Sequence, residues 1–195
     1  YNSFNNWGWL DSLDSKLLSE IDIVPGDIRD SKFVSDCCKN IDTIFHLASL
    51  IAIPHSYRSP YSYVDTNIVG TLNLLESALR HNIDSFIHTS TSEVYGESDM
   101  VAISESSPVV SRSPYSASKI GADQIAYSYY STYDLPVSII RPFNTYGPRQ
   151  SLRAIIPTII TQALQNKKYI KLGSLYPTRD FCYIDDTAVS YTHLT

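Results

Sequence analysis

A chain of 195 residues, 43% hydrophobic and 18% charged, has the composition of one ordinary globular domain. Its net charge of −5 offers no basic footprint for nucleic acid, and no apolar run is long enough to span a membrane. Cys37, Cys38 and Cys182 lack metal-ligand spacing and read as reduced thiols of a cytoplasmic protein, and five scattered histidines give no metal site to expect.

In chain order, residues 1–10 are rich in asparagine and aromatics without a period, which suits a surface loop. Residues 12–20 suit a short helix, and residues 21–24 a strand that ends at Pro25 and Gly26. Asp27 and Ile28 follow at its carboxyl end, where Asp27 could equally cap the helix expected over residues 31–39. Residues 41–48 form a buried-strand pattern running into Ser49, with His46 placed as a core histidine. After a loop over 53–60, residues 61–82 read as one long helix. Val64, Ile68, Leu72, Leu75 and Leu79 recur at helical spacing, with Asn67 among them.

The stretch 88–123 holds most of the chemistry. The β-prone run Ser85-Phe-Ile-His-Thr feeds into Thr91, Ser92 and Glu93, and Gly96 lets the backbone turn. Ser113 and Pro114 then open a helix as N-cap and first-turn residue. Tyr115 and Lys119 lie four residues apart, on one face of that helix, which continues to Tyr133. An ammonium beside a phenol favours the phenolate, so the pair predicts an acid/base tyrosine with a lowered pKa. Fifteen tyrosines and seven lysines supply about half such a pair by chance. Position raises it, because ligands of open α/β sheets bind beyond the carboxyl ends of strands.

Residues 136–141 form another buried strand, which carries Pro142, Phe143, Asn144 and Thr145 to the same edge as Thr91. A helix is expected over 153–166 and a strand over 169–173, before Arg179 leads into Phe181-Cys-Tyr-Ile-Asp-Asp. Tyr127, Tyr129, Tyr130 and Tyr133 lack interleaved basic residues and read as packing surface.

These motifs carry a resemblance to the extended short-chain dehydrogenase/reductase family. The segments G-D-I-R-D, H-L-A-S-L-I-A-I-P, T-S-T-S-E-V-Y-G, Y-S-A-S-K-I-G-A-D-Q, R-P-F-N-T-Y-G-P-R-Q and R-D-F-C-Y-I-D-D resemble its nucleotide-sugar 4,6-dehydratases. Within them, the chain is most similar to the bacterial UDP-N-acetylglucosamine-type dehydratases of legionaminic acid biosynthesis. The resemblance implies an α/β fold with a doubly wound, Rossmann-like parallel sheet. It also implies a partial NAD-binding domain over 1–150 and the start of a substrate-binding lobe over 151–195. The seven glycines are too dispersed for a G-x-G-x-x-G loop, so a piece lacking the first βαβ unit, inactive by itself, is expected.

By resemblance, Asp27 and Ile28 flank the adenine, while Leu47, Ala48, Ser49 and Pro142 line the dinucleotide. Asn2 or Ser3 stands where NAD-dependent relatives carry an acid, and no arginine awaits a 2′-phosphate, so NAD is expected over NADP. Thr91, Ser92, Glu93, Tyr115 and Lys119 are the implied catalytic set, with Lys119 also on the nicotinamide ribose. Thr91, Asn144 and Arg179 are implied on the substrate, a nucleotide sugar, and the complete protein is expected as a homodimer. Asn67 is expected to bond the strand that carries the active site. Several glucose dehydratases have an acidic aspartate where Ser92 stands, whereas other dehydratases and some decarboxylases carry Thr-Ser-Glu. A nucleotide-sugar decarboxylase, with Arg112 facing a uronate, and a 4-epimerase therefore stay open, as does a non-catalytic cofactor-binding relative.

Overall fold

The computed structural model describes residues 6–97 and 102–194. Asn2 and Ser3, the residues bearing on the choice between NAD and NADP, lie outside the described residues.

A 3-10 turn over Gly8–Ser12 and helix α1 (Ser15–Leu18) lead to helix α2 (Ser31–Cys37). Strand β1 (Thr43–His46) follows, then two short helices, α3 (Ile53–Ser56) and α4 (Pro60–Tyr63). A π-helical turn (Val64–Val69) joins α4 to helix α5 (Gly70–His81). Strand β2 (Ser85–Thr89), a 3-10 turn (Ser92–Tyr95) and the 20-residue helix α6 (Pro114–Tyr133) come next. Strands β3 (Val137–Ile140) and β4 (Asn144–Tyr146), helix α7 (Ile155–Leu164), strand β5 (Phe181–Tyr183) and helix α8 (Ile184–Thr192) complete the described chain.

Three parallel strands form the main sheet in the order β1-β2-β3, with His46 opposite His88 and Thr89 opposite Ile140. Parallel neighbours need crossover helices, and α5 and α6 supply them. Both pack over a core of Val34, Leu75, Ala78, Phe86, Ala126 and Leu135. Strands β4 and β5 pair in parallel as a second, two-stranded sheet. The α/β architecture with parallel strands agrees with the sequence expectation.

Helix α6 begins as expected: Ser113 accepts from the Ser116 amide in a capping box, with Pro114 in the first turn. Gly96 turns the chain at φ +64°, where a Cβ would sit 2.5 Å from the Val110 carbonyl oxygen.

Other expectations need correcting. Asp30, not Asp27, caps α2, accepting from the Lys32 and Phe33 amides. Residues 21–24 are not a strand, since no neighbouring strand among the described residues takes their backbone hydrogen bonds. Residues 169–173 are not a strand either; Gln162 brackets Lys171, donating to its carbonyl at 2.9 Å and accepting its amide at 2.8 Å.

The long helix expected over 61–82 is helical but not regular. A π turn inserts an extra residue, which rotates everything N-terminal to it relative to α5. Val64 is thereby exposed, and the buried stripe runs through Tyr63, Asn67, Thr71, Leu75 and Ala78. Leu75→Ala should therefore cost about 2–5 kcal/mol of unfolding free energy, whereas Val64→Ala should stay within about 0.5 kcal/mol. Urea titration of both variants checks this, and comparable losses at the two sites would contradict the shifted stripe.

Candidate active site

Strand β2 ends at Thr89, and the next residues are held by the neighbouring strand's continuation. The Ser90 amide donates to the Ile140 carbonyl at 2.7 Å and the Ser92 amide to the Pro142 carbonyl at 3.0 Å. This pinning sets Thr91 at the sheet edge. Its hydroxyl caps the following 3-10 turn by accepting from the Glu93 amide at 3.2 Å.

Helix α6 brings Tyr115 and Lys119 to the same edge. Both are buried, at 7% and 2% exposed. The Thr91 side chain lies close enough to Tyr115 to favour ionisation of the phenol, and the Glu93 carboxylate close enough to oppose it. Tyr63 stands edge-on to the Tyr115 ring at 6.3 Å between centroids and donates its own hydroxyl to the Ala52 carbonyl at 2.6 Å. Lys119 Nζ donates to the Thr89 carbonyl at 2.6 Å. Thr91, Ser92, Glu93, Tyr115 and Lys119 thus meet around the end of β2.

The electrostatics differ from the expectation. Burial pushes the Tyr115 phenol above its usual pKa, and Glu93 adds to that, with the Thr91 side chain opposing. Lys119 does not lower it here because its ammonium is directed to the Thr89 carbonyl. Burial in turn lowers Lys119 to about 8, with Asp123 pulling the other way. The lysine is therefore charged at neutral pH but close to its titration point.

Behind this pair lies a group of polar side chains that the sequence reading passed over. Asp123, one turn past Lys119, is 1% exposed and accepts from Arg141 Nε at 3.0 Å. His88 Nε2 approaches its other oxygen at 3.3 Å without regular hydrogen-bond geometry. Arg141 also donates to the Tyr95 hydroxyl at 3.0 Å. His46 bonds Thr71 Oγ1 at 2.9 Å, as a core histidine should, and its ring stands 5.3 Å from that of His88. Burial keeps both imidazoles well toward the neutral form. The available signal was the 115/119/123 spacing, which puts a carboxylate on the catalytic face of the helix.

Asn67 sits in the π turn and is buried. Its amide accepts from the Leu50 N–H at 2.8 Å and donates to the Leu50 carbonyl at 3.0 Å and to Ser118 Oγ at 2.9 Å. It therefore ties α6 to the segment after β1, not to the strand bearing Thr91 as expected.

The remaining candidates are more dispersed. Leu47 and Ala48 are exposed and Ser49 half-buried past the end of β1. Ile28 packs against Gly70 at the start of α5. Asp27 is held in a bidentate pair by Arg29, whose guanidinium lowers the carboxyl to about 2. Asn144 opens β4 and donates to the Asp180 carbonyl at 3.3 Å. Pro142 and Phe143 line a cleft of about 850 Å³ shared with Tyr146, Asp180 and Phe181. Arg179 is exposed and folds onto the carbonyl of Thr178 at 2.8 Å. Arg112 lies on the surface with its guanidinium 3.7 Å from Glu97.

Comparison with known proteins places this geometry in context. Residues 1–194 match the family described as GDP-mannose 4,6 dehydratase. The dTDP-glucose 4,6-dehydratase of Streptomyces antibioticus is 37% identical over 166 residues, covering 85% of this chain and 50% of that protein. The chain spans about half the length of the curated relatives it matches. A dTDP-glucose 4,6-dehydratase from Streptomyces venezuelae, solved with NAD bound, superposes with a TM-score of 0.79 at 32% identity, over 93% of this chain and 59% of that one. The UDP-N-acetylglucosamine 4-epimerase of Methanobrevibacter ruminantium M1, in complex with UDP-N-acetylmuramic acid, gives 0.86 at 30% identity, over 95% and 61%.

Lys119 makes stability depend on pH in a defined window. With its pKa near 8 in the folded chain and about 10.4 unfolded, the unfolded state binds more protons between these values. Stability contributed at this site should rise with pH from about 8 to 10.4, by something on the order of 3 kcal/mol. Lys119→Met should flatten that rise, as read from urea midpoints of both proteins across the window. A difference curve without slope there would contradict the buried ammonium.

Proposed function

Because the chain belongs to the GDP-mannose 4,6 dehydratase family, we propose that it serves the NAD-dependent dehydration of a nucleotide-linked hexose to the 4-keto-6-deoxy sugar. The observation that carries this proposal is one cluster: buried Tyr115 beside Thr91 and Glu93, with the buried Lys119 ammonium at the end of β2. The finer proposal for the substrate is a nucleotide-linked N-acetylglucosamine, which rests on the sequence resemblance and on Thr-Ser-Glu at 91–93.

The residues fit the nicotinamide end of NAD. Ala48 and Ser49 are small residues past a parallel strand's carboxyl end, where a flat ligand can approach the backbone. Lys119 has three N–H donors and uses one on Thr89, which leaves two for a ribose hydroxyl and the Tyr115 oxygen. Leu47, Ile28 and Pro142 would add apolar contact, and Asp27 contributes backbone only, its carboxylate being occupied by Arg29. When bound, NAD supplies the hydride acceptor for C4 and the donor for C6.

The chain's own residues handle protons. Tyr115, as phenolate, takes the proton of the sugar 4-hydroxyl while Thr91 bonds the 4-oxygen. Burial alone disfavours that phenolate, so the Lys119 ammonium must offset the cost when it turns toward the oxygen. The 4-ketone acidifies C5–H, and Glu93 removes that proton. The same proton can then leave with the C6 hydroxyl as water, and Glu93, reprotonated from solvent, would return a proton to C5 as C6 is reduced. Ser92 is too weak an acid to protonate the leaving hydroxyl alone and relays instead. Asn144 and Arg179 are proposed on the sugar and the diphosphate, where a planar, permanently charged guanidinium suits the anion. Arg179 would have to swing off the Thr178 carbonyl to do so.

A 4-epimerase is the second proposal, supported by the superposition on the M. ruminantium enzyme. It shares the Tyr115 and Lys119 chemistry but has no use for a base at C5. Glu93→Gln in the full-length enzyme separates the two. As a dehydratase, it should lose product formation by about 10²–10⁴-fold while still forming a 4-ketohexose, trapped with hydroxylamine and weighed by mass spectrometry. Tyr115→Phe should give neither ketone nor product. Normal turnover by Glu93→Gln would favour the epimerase. Comparing kcat/KM for a UDP-linked N-acetylglucosamine and a dTDP-linked glucose tests the finer proposal, and preference for the glucose would defeat it.

NAD affinity makes a separate prediction. The 195 residues hold no G-x-G-x-x-G loop, the element that brings a helix N-terminus to the pyrophosphate in dinucleotide folds. Calorimetry should give a dissociation constant well above the micromolar range, and tight binding would show that the cradle lies elsewhere.

A further inference from the structure

Lys119 is an ammonium in a place that should not tolerate one. It is 2% exposed, its acceptor among the described residues is the Thr89 carbonyl, and burial disfavours charge on the imidazoles of His46 and His88. A carbonyl dipole alone is a poor counterweight to the desolvation of a unit charge. The one buried carboxylate on the same helix face is Asp123, one turn further along. Its Oδ2 is fixed by Arg141 Nε from the end of β3. Its Oδ1 is buried without a regular hydrogen bond, and His88 lies 3.3 Å away. Arg141 is itself fixed by Tyr95 in the turn that carries Glu93.

We propose that Asp123 is a positioning residue for the Tyr115–Lys119 pair: a carboxylate oriented by Arg141 that holds the Lys119 side chain as an ammonium inside the protein. The importance of that charge for catalysis rests on the proposed dehydratase or epimerase reading, whereas the charge itself does not. The groups that face Lys119 are accounted for element by element. His46 comes from β1, His88 from β2 and Asp123 from α6. Of the carboxylates, Glu93 is partly exposed and acts on Tyr115, whereas Asp123 acts on Lys119 within the interior. Arg141 serves two ends here: it compensates the charge of Asp123 enough to keep it buried, and it holds the carboxylate in place beneath the helix.

The direction of the effect makes the idea testable without turnover. Removing the carboxylate should let burial act alone, so the titration midpoint of Lys119 should fall further below 8. Loosening of the fold would do the opposite, since a wetted lysine moves up toward its ordinary value of about 10.4. We would follow the Lys119 Nζ resonance by nitrogen-15 NMR in the full chain labelled at lysine, assigned with Lys119→Arg. Asp123→Asn is expected to lower the midpoint by about one pH unit or more, and Asp123→Glu to restore it. Should the asparagine variant not fold, Asp123→Ser leaves room for a water in place of the carboxylate and carries the same expected sign. A midpoint that is unchanged or raised in a folded neutral variant would overturn the proposal. In the full-length enzyme the alkaline limb of the kcat/KM profile should move to lower pH with the same variants. Failure of the parent to turn over any nucleotide hexose would count against the functional proposal alone, and the titration would still decide this one.

Discussion

The hydrogen bond from Lys119 to the Thr89 carbonyl joins the longest helix to the end of the central strand, and much of the site follows from it. Thr89 is the last residue of β2, paired with Ile140, and its carbonyl accepts the lysine at the strand's carboxyl end. With Nζ fixed there, the roll of α6 about its axis is limited, and Tyr115, one turn earlier, must lie over residues 90–93. The Thr91 hydroxyl, which accepts from the Glu93 amide, then stands beside the Tyr115 phenol. One lysine therefore serves as a structural anchor and, in the proposed reaction, as the charge beside Tyr115. That double use explains why it is buried far more completely than a surface cation would be.

The interior of the sheet is unusually polar for so short a set of strands. His46 and His88 are register partners on β1 and β2, and Asp123 and Arg141 continue the line toward Tyr95. A half-satisfied network of this kind costs stability, and an apolar core of equal volume would be at least as stable. Its place directly behind the catalytic pair gives it a reason that packing does not, because it lets the sheet exert an electrostatic effect at its own edge.

Much of this was legible from the residues. Ser85–Thr89 reads as a strand because it is β-prone and bounded by polar residues, and Ser113-Pro114 marks the start of α6. Tyr115 and Lys119 fall on one face because helical spacing leaves no alternative. The misses have physical causes as well. The π turn depends on the side chain of Asn67 reaching Leu50 and Ser118, a tertiary contact to which local periodicity is blind. Residues 21–24 and 169–173 have strand composition, but a strand also requires a neighbour, which composition does not reveal. Asp123 was visible as a spacing, but its burial against Arg141 depends on where β3 ends. The lowered tyrosine expected from Lys119 failed because proximity in a helix does not say where an ammonium points.

The amide of Asn67 is chemically a peptide group, and it meets Leu50 as one peptide meets another, giving and taking one hydrogen bond. It also bonds Ser118, adjacent to Lys119. Leu50 cannot be displaced without either breaking two bonds or dragging the π turn with it, and the π turn is tied to the helix of the reacting pair. The segment after β1 and the helix that carries Tyr115 and Lys119 are therefore mechanically geared. Pressure on the first is felt as torque on the second, through a single side chain.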